Sequence, residues 1–192
     1  FSGDGDTRDF LGQNPNGILH GDANFKVGRV GQSFNFDGTG DYVEIADDAD
    51  HRPANITVEG WFKANSLSGA PHFVSKPLRD TNSNSYVVWY QDGQMRGGHG
   101  NSAGGFDTLF TGFSPNPGTW YHFAYTIDDG ADTHRFFVNG VQIAAAGTSL
   151  PISYDTTAPY PLLIGGELDN NTLGSFLNGQ ADEVSVYGLA LS

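Results

Sequence analysis

Acidic residues are concentrated in a short segment near the start of the chain. Asp4, Asp6 and Asp9 lie within the glycine-rich segment GDGDTRD, residues 3–9. Carboxylate oxygens in a glycine-rich turn are hard ligands of the kind that calcium prefers. The segment is not an EF-hand loop, because Arg8 stands at the fifth position of such a loop and no glycine stands at the sixth.

A fourth carboxylate, Asp182, lies in the C-terminal segment QADEVSVYGLALS, residues 180–192. This segment is predicted to be a β-strand, in which alternate side chains share a face. Asp182 is then expected on the buried face with Val184 and Val186, and Glu183 on the face that tolerates water. A buried carboxylate needs a charge partner, a proton or a metal ion. The alternative is that Asp182 caps backbone N–H groups and that Asp9 holds an Asx turn.

A second group of residues has the composition of a sugar-binding surface. Aromatic rings stack on the apolar faces of pyranoses, and amides and carboxylates hydrogen-bond the hydroxyl groups. Trp89 and Tyr90 flank a predicted hairpin, and Tyr86 shares a strand face with Tyr90. The candidate ligand-binding residues are Trp89, Tyr90, Tyr86, His99, Asn101, Arg79 and Asp80. The loops add His72, Asn82, Asn84, Phe106, Tyr154, Tyr160, Asp169 and Asn170. A place in the core is an equal alternative for Trp89.

Catalytic patterns are not found in the sequence. The chain has only the glutamates Glu44, Glu59, Glu167 and Glu183, and none begins the Glu-x-Asp-x-(x)-Glu pattern of glucanases. A nucleophilic cysteine and a His-Glu-x-x-His zinc motif are missing. The segment GNSAG (100–104) has Gly-x-Ser-x-Gly spacing, but it lies in GHGNSAGG, which is interpreted as a flexible loop and lacks the following helix of a nucleophile elbow. The sequence therefore predicts a protein that is not an enzyme, with polysaccharide degradation as a minor alternative.

Composition restricts the possible partners. The net charge is -13, with 9 Lys and Arg against 22 Asp and Glu, which argues against nucleic acid and anionic membranes as partners. There is no cysteine, so disulfides and thiolate metal sites are excluded. No apolar run approaches the roughly 20 residues of a membrane helix. The length of 192 residues fits one domain spanning 1–192, expected to be a module of a larger protein.

Strand patterns separated by turn residues follow one another along the chain. YVVWYQDGQMRG (86–97) and FFVNGVQIA (136–144) place Asp-Gly or Asn-Gly between strand-like flanks, which predicts hairpins. ITVEGWF (56–62) alternates, with Ile56, Val58 and Phe62 on one face, and WYHFAYTI (120–127) is predicted to be a buried strand. No helical period extends over ten residues. The expected fold is all-β, a two-sheet antiparallel sandwich of the jelly-roll type.

Several segments, in order, resemble the laminin-G-like (concanavalin A-like) jelly-roll modules of secreted bacterial proteins. The segments are GDGDTRDFLGQNPNGIL (3–19), FKVGRVGQSFNFDGTGDYVEI (25–45), ITVEGWFKA (56–64), GTWYHFAYTID (118–128), FFVNGVQI (136–143), LLIGG (162–166) and QADEVSVYGLALS (180–192). The resemblance covers nearly the whole chain and determines architecture better than activity. It also implies that Trp61 and Trp120 pack internally, although strand parity groups Trp61 with Glu59 and Lys63.

The resemblance implies a structural calcium ion that joins the first turn to the last strand. Its expected ligands are Asp182 and Asp6 with Asp4 or Asp9, completed by backbone carbonyls and water. The implied function is a lectin-like, carbohydrate-binding module that is secreted or at the cell surface and binds a polysaccharide. The alternative is a protein-binding adhesion or scaffold module. Clustered, accessible aromatic residues would favour the glycan, and three buried tryptophans would favour adhesion.

Overall fold

The computed structural model of the protein describes residues 1–9, 12, 15–78, 83–100 and 104–191. It is nearly all β, with two antiparallel sheets of seven strands each that pack face to face. The predicted fold class, a concanavalin A-like β-sandwich, is therefore confirmed.

The first sheet contains, in spatial order, β1 (Gly17–His20), β4 (Tyr42–Ile45), β13 (Leu162–Ile164), β6 (His72–Pro77), β7 (Asn84–Gln91), β8 (Gln94–Gly100) and β9 (Phe106–Phe110). The second contains β12 (Val141–Gly147), β11 (Thr133–Val138), β10 (Tyr121–Asp128), β5 (Ile56–Ser66), β16 (Asn178–Tyr187), β3 (Gln32–Asp37) and β2 (Asn24–Val27). A separate hairpin pairs β14 (Glu167–Asp169) with β15 (Thr172–Gly174), and one 3-10 turn spans Ala49–His51.

The predicted hairpins form where the turn residues indicated them. Asp92 and Gly93 connect β7 to β8, and Asn139 and Gly140 connect β11 to β12. All four turn residues have positive φ, as a two-residue type I′ turn requires. The Asp-Gly and Asn-Gly signals therefore position the strands correctly.

The core lies between the two sheets and is rich in aromatic side chains. The strand β5 pattern is confirmed, since Ile56, Val58 and Phe62 are all buried there. The largest fully buried side chains are Tyr86, Tyr125, Phe34, Phe36, Phe62, Phe73, Phe136, Ile45, Ile56, Leu78, Met95 and Ile127. Burying this many large side chains supplies the main driving force for the fold.

The expected face of Asp182 is wrong, because strand β16 contains a bulge. Three steps along β16, from Asp182 to Ser185, match two steps along β5, from Trp61 to Glu59. The extra residue is Glu183, whose φ is +52°. An inserted residue of this kind reverses the alternation of the strand beyond it.

The bulge separates Asp182 from the two valines. Val184 is fully buried in the core between the sheets. Asp182 instead pairs with Trp61 and turns to the outer face of the second sheet. It is nevertheless 0% exposed, because the turn at Gly28–Gly31 covers it.

The expectation that Trp61 and Trp120 pack internally is also wrong. Both side chains are half-buried and lie outside the core cluster. The Arg29 guanidinium lies 4.8 Å from the Trp61 ring, and the Lys63 ammonium lies 5.1 Å from the Trp120 ring. For Trp61, strand parity alone predicts the observed outer face.

Candidate functional site

A cleft of about 320 Å³ opens on the outer face of the first sheet. Strand β7 forms one wall of the cleft. Its residues Val87 and Trp89 alternate with the core residues Tyr86 and Val88 and therefore face outward. The residues that line the cleft are Ala70, His72, Asn84, Val87, Trp89, Gln91, Phe106, Glu167, Asp169 and Ser175.

Trp89 is held firmly in one wall of the cleft. The His72 ring stacks on it at 6.1 Å between centroids with an interplanar angle of 14°, and Phe106 meets it edge-on at 6.1 Å. Gly98 permits this packing, since a Cβ there would lie 2.7 Å from Phe106 and 3.0 Å from Trp89. Trp89 is 7% exposed and is one of the residues that line the cleft.

Two carboxyl groups reach the cleft from the β14–β15 hairpin. Its turn residues, Asn170 and Asn171, have φ values of +47° and +59°, which gives a type I′ turn. Alternation along β14 places Glu167 and Asp169 on the same side of the hairpin. The sequence of this turn therefore determines that both side chains point into one site.

Glu167 is the centre of a hydrogen-bond network. Its Oε2 lies 2.8 Å from His72 Nε2, and its Oε1 accepts from Asn84 Nδ2 at 2.7 Å. It also shares a hydrogen bond with Asp169. The other ring nitrogen of His72 lies 3.1 Å from the Ala70 carbonyl oxygen. The imidazole is therefore held at both ends.

The two carboxyl groups have opposite pKa shifts. Burial acts to raise the pKa of Glu167, but the His72 and Asn84 hydrogen bonds outweigh it and the pKa is lowered. Burial, followed by the charge of Glu167, raises the pKa of Asp169 to about 6. One proton is therefore favoured on Asp169, where it serves the hydrogen bond between the two groups.

Two oxygen atoms at the site have no hydrogen-bond partner among the described residues. These are Asn84 Oδ1 and Asp169 Oδ1. Asn84 is 3% exposed, so its oxygen is cut off from bulk solvent. Buried polar atoms are almost always paired, so the two oxygens are expected to accept hydrogen bonds from bound water.

The structure separates the predicted ligand-binding residues into four groups. Trp89 lines the cleft, and its role as a ligand platform stays a prediction. Tyr86 and His99 do not lie on the surface, because both are 0% exposed: the Tyr86 hydroxyl donates to the His51 carbonyl oxygen, and His99 lies against Tyr125 and Leu150. Tyr90 shares the inner face of β7 with Tyr86 and is half-buried. Arg79, Asp80 and Asn101 lie outside the described residues.

Glu167 is the central residue that the sequence prediction did not include. His72, Asn84, Phe106 and Asp169 were only general loop candidates. The segment ELDNNTLG, residues 167–174, contains the missing signal. Two asparagines between short alternating stretches predict a type I′ hairpin, which would have placed Glu167 beside Asp169.

The acidic N-terminal region has a different arrangement. Asp182 Oδ2 accepts hydrogen bonds from the backbone N–H groups of Arg29 and Val30 at 2.7 and 2.9 Å. Asp4 Oδ1 accepts from Gln32 N at 2.7 Å. Two carboxylates thus hold the turn between β2 and β3, as the backbone-capping alternative for Asp182 describes.

The four predicted metal ligands do not converge in the described part of the chain. There, no three acidic or histidine side chains are grouped so that they could hold one metal ion. Asp6 is paired with Arg8 at 2.6 Å on the surface. Asp182 Oδ1 is a buried carboxylate oxygen with no partner among the described residues. Burial raises the pKa of Asp182, and the Val30 and Arg29 hydrogen bonds oppose that shift.

Sequence comparison identifies the family of this sandwich. The Laminin_G_3 family, described as the concanavalin A-like lectin/glucanases superfamily, matches residues 37–192. The chain belongs to this superfamily. The acidic segment at residues 3–9 precedes the matched part. No curated protein matches the sequence of this chain.

Solved structures share the fold at low sequence identity. Domain 4 of AbnA, a GH43 extracellular arabinanase from Geobacillus stearothermophilus solved in complex with arabinotriose, has a TM-score of 0.80 and 19% identity, with 100% of this chain and 92% of that chain covered. The Ruminococcus gnavus IT-sialidase CBM40 bound to alpha2,3 sialyllactose has a TM-score of 0.63 and 17% identity, covering 73% and 79%.

A third similar structure is the receptor binding domain of a botulinum neurotoxin C/D mosaic serotype. Its TM-score is 0.72 at 13% identity, and 97% of this chain aligns with 47% of that chain. This protein thus spans about half of the toxin domain. Within the described residues, no helix is long and apolar enough to cross a membrane.

Proposed function

We propose that this protein is a carbohydrate-binding module that holds a glycan in the Trp89 cleft. One observation carries the proposal: the Trp89 indole lines the same cleft as amide, carboxyl and hydroxyl side chains, which include Gln91, Asp169 and Ser175. Sugar rings pack against indoles, and sugar hydroxyls form hydrogen bonds with such polar groups. The fold supports the same class, since structures that share it were solved with arabinotriose and sialyllactose.

The module is proposed to bind its glycan without cleaving it. Glycosidases place two carboxyl groups about 5 to 9.5 Å apart, on either side of the scissile bond. The two carboxyl groups of the described cleft, Glu167 and Asp169, project from the same side of strand β14 rather than from opposite walls across a bound sugar. Their geometry suits recognition of hydroxyl groups rather than hydrolysis. A location outside the cell, secreted or at the surface, follows from this function.

The first test is affinity electrophoresis through gels that contain soluble polysaccharides. We expect one glycan class to retard the wild-type protein. Trp89→Phe keeps a ring in the wall but loses indole contact area, so we expect binding about tenfold weaker. Trp61→Phe is the matched control on the opposite sheet, and it should leave retardation unchanged. Thermal melts of both variants check that the fold is retained.

Three results would each contradict one part of the proposal. Retardation by no polysaccharide would favour the protein-binding adhesion alternative. Retardation that is lost in Trp61→Phe but kept in Trp89→Phe would keep carbohydrate binding and move it to the second sheet. Release of reducing sugar from the retarding glycan by the purified protein would contradict the non-catalytic role.

We also propose a structural calcium ion beside Asp182. The unpaired Asp182 Oδ1 supports this, because a buried carboxylate oxygen without a donor is a suitable calcium ligand. Asp182 would hold the ion together with backbone carbonyls and water, and Asp4 and Asp9 are the further candidates. Asp6 fits poorly, because Arg8 pairs with it. A calcium ion there would attach the N-terminal segment to β16.

The calcium proposal is tested by the change in melting temperature between calcium and EDTA. The wild type should melt several degrees higher in calcium, since an ion that binds only the folded state stabilises it. Asp182→Asn should lose this difference, and Asp6→Asn should keep it. The absolute melting temperature is not the readout, because Asp182 also accepts backbone hydrogen bonds. A wild type that melts identically in both conditions would eliminate the ion.

A further inference from the structure

The charged side chains that line the cleft are mainly acidic. Glu167 and Asp169 contribute two carboxyl groups, and His72, which pairs with Glu167, is the one basic side chain among the described lining residues. Carboxylates accept hydrogen bonds, so they favour ligand groups that donate. Sugar hydroxyls and ammonium groups are donors, whereas a ligand carboxylate has none to offer.

The ring nitrogens that line the cleft are already engaged, whereas the Gln91 amide and the Ser175 hydroxyl line it as neutral groups. His72 has an acceptor at each ring nitrogen, Glu167 at 2.8 Å and the Ala70 carbonyl oxygen at 3.1 Å. The Trp89 indole N–H donates to Gln91 Oε1 at 3.1 Å.

The neighbouring cation is also paired. Arg96 lies over the Trp89 and Phe110 rings, and its guanidinium is 2.6 Å from Asp92 Oδ2. It is not among the residues that line the cleft. The described residues of the cleft thus provide no free cation for a carboxylate ligand.

The two carboxyl groups add a charge argument to this hydrogen-bond argument. Glu167 is held as a carboxylate by His72 and Asn84. A ligand carboxylate in the cleft would lie beside that charge, away from bulk water, where like charges repel more strongly than at the surface. A hydroxyl or ammonium group in the same place would be attracted.

We propose that the cleft selects sugars that carry no carboxylate, that is, neutral sugars or amino sugars. Their hydroxyl or ammonium groups donate to the polar side chains of the cleft, Asp169 among them, beside the Trp89 ring. Uronic acid and sialic acid residues are excluded from the cleft. This inference rests on the proposed carbohydrate binding and adds the chemical class of sugar.

The experiment compares one glycan in two forms. The polysaccharide that retards the wild type is oxidised at its primary hydroxyls to carboxylates, and the two preparations are cast in parallel gels. Salt at about 150 mM screens the general repulsion from the net charge of -13. We expect the wild type to bind the oxidised glycan at least about tenfold more weakly than the neutral one.

Variants test whether the cleft carboxyls cause this difference. Glu167→Gln with Asp169→Asn keeps the shapes and removes the charges, so the discrimination should fall to less than about threefold. Asp169→Asn alone is the second variant if the double variant does not fold, and it should reduce the discrimination partly. Asp132→Asn, which removes an exposed carboxylate on the β10–β11 turn of the second sheet, is the matched control and should leave the discrimination unchanged.

Three outcomes would overturn the inference. The first is a wild type that binds the oxidised glycan as tightly as the neutral one, or that binds a native acidic glycan more tightly than any neutral glycan. In either case Trp89→Ala must abolish the binding, which shows that it occurs in the cleft. The second is discrimination that persists undiminished in the folded double variant. The third is an acidic glycan that binds the wild type but not Arg79→Ala. In these cases carbohydrate binding itself stands. Retardation by no glycan overturns both proposals together.

Discussion

Two of the regions in which the protein buries carboxylates pair them differently. In the second sheet, Asp182 Oδ2 accepts two backbone N–H hydrogen bonds from the turn that covers it. At the first sheet, Glu167 and Asp169 are paired with side chains and with each other beside an open cleft. One region fixes the backbone, and the other is accessible to a ligand.

This difference shows that burial of a carboxylate does not by itself indicate a binding site. Asp182 is more deeply buried than Asp169, yet its hydrogen bonds to the Arg29 and Val30 backbone give it a structural role. What distinguishes Asp169 is its surroundings: an aromatic wall, a second carboxyl and an adjacent amide with an open oxygen. The partners of a buried charge indicate its role better than its depth does.

The largest effect that would test this comparison is on folding stability. Asp182→Ala leaves the Arg29 and Val30 N–H groups without their acceptor, so we expect the free energy of unfolding to fall by about 2–4 kcal/mol. Asp169→Ala should cost less than about 1 kcal/mol, since it lies at the edge of a cleft. Urea denaturation of both variants in EDTA measures the difference. Equal losses would mean that the two regions are equally structural.

A smaller effect concerns pH. The pKa of Asp169 is raised from 3.8 to about 6 in the folded protein, so its neutral form stabilises the fold. That contribution is complete below the unfolded pKa and is lost as the pH rises through about 6. The Asp169→Asn side chain stays neutral at every pH. We therefore expect the free energy of unfolding of this variant, relative to the wild type, to rise by up to about 1 kcal/mol between about pH 4 and pH 7. Urea titrations at several pH values measure this gain. A constant difference across the range would contradict the raised pKa.

The smallest effects are expected within the acidic N-terminal segment. Asp4→Ala removes the acceptor of the Gln32 N–H and should cost about 0.5–1 kcal/mol in EDTA. Asp6→Ala should cause no measurable change, because its pair with Arg8 is exposed. Melting curves in EDTA separate the two variants. A larger loss for Asp6→Ala would show that the segment depends on the surface ion pair.

The fold could be predicted from the sequence because its signals are local. The Asp-Gly and Asn-Gly turns, and the alternation of Ile56, Val58 and Phe62, each depend on a few adjacent residues. The face of Asp182 could not be predicted in this way. A bulge at Glu183 leaves the hydrophobic pattern of the segment unchanged while it reverses the strand beyond it.

The site was predicted only in part, because it is assembled from distant segments. Trp89 stands out as an aromatic residue beside a hairpin. Its partners His72, Glu167 and Asp169 come from a preceding strand and from a hairpin far along the chain. Tyr86 and His99 were misplaced for the opposite reason: a polar aromatic residue in a strand looks the same in sequence whether its polar atom meets a ligand or an internal partner such as the His51 carbonyl oxygen.

The β14–β15 hairpin has a consequence for how this module could be redesigned. Its base is fixed to the sandwich by backbone hydrogen bonds from Leu177 N to the Gly165 carbonyl and from His72 N to the Ser175 carbonyl. Its first strand carries Glu167 at the base and Asp169 next to the Asn170–Asn171 turn. Residues 167–174 lie outside the core cluster between the two sheets. Exchanging them is therefore expected to change the ligand preference of the cleft while the core contacts between the sheets stay in place.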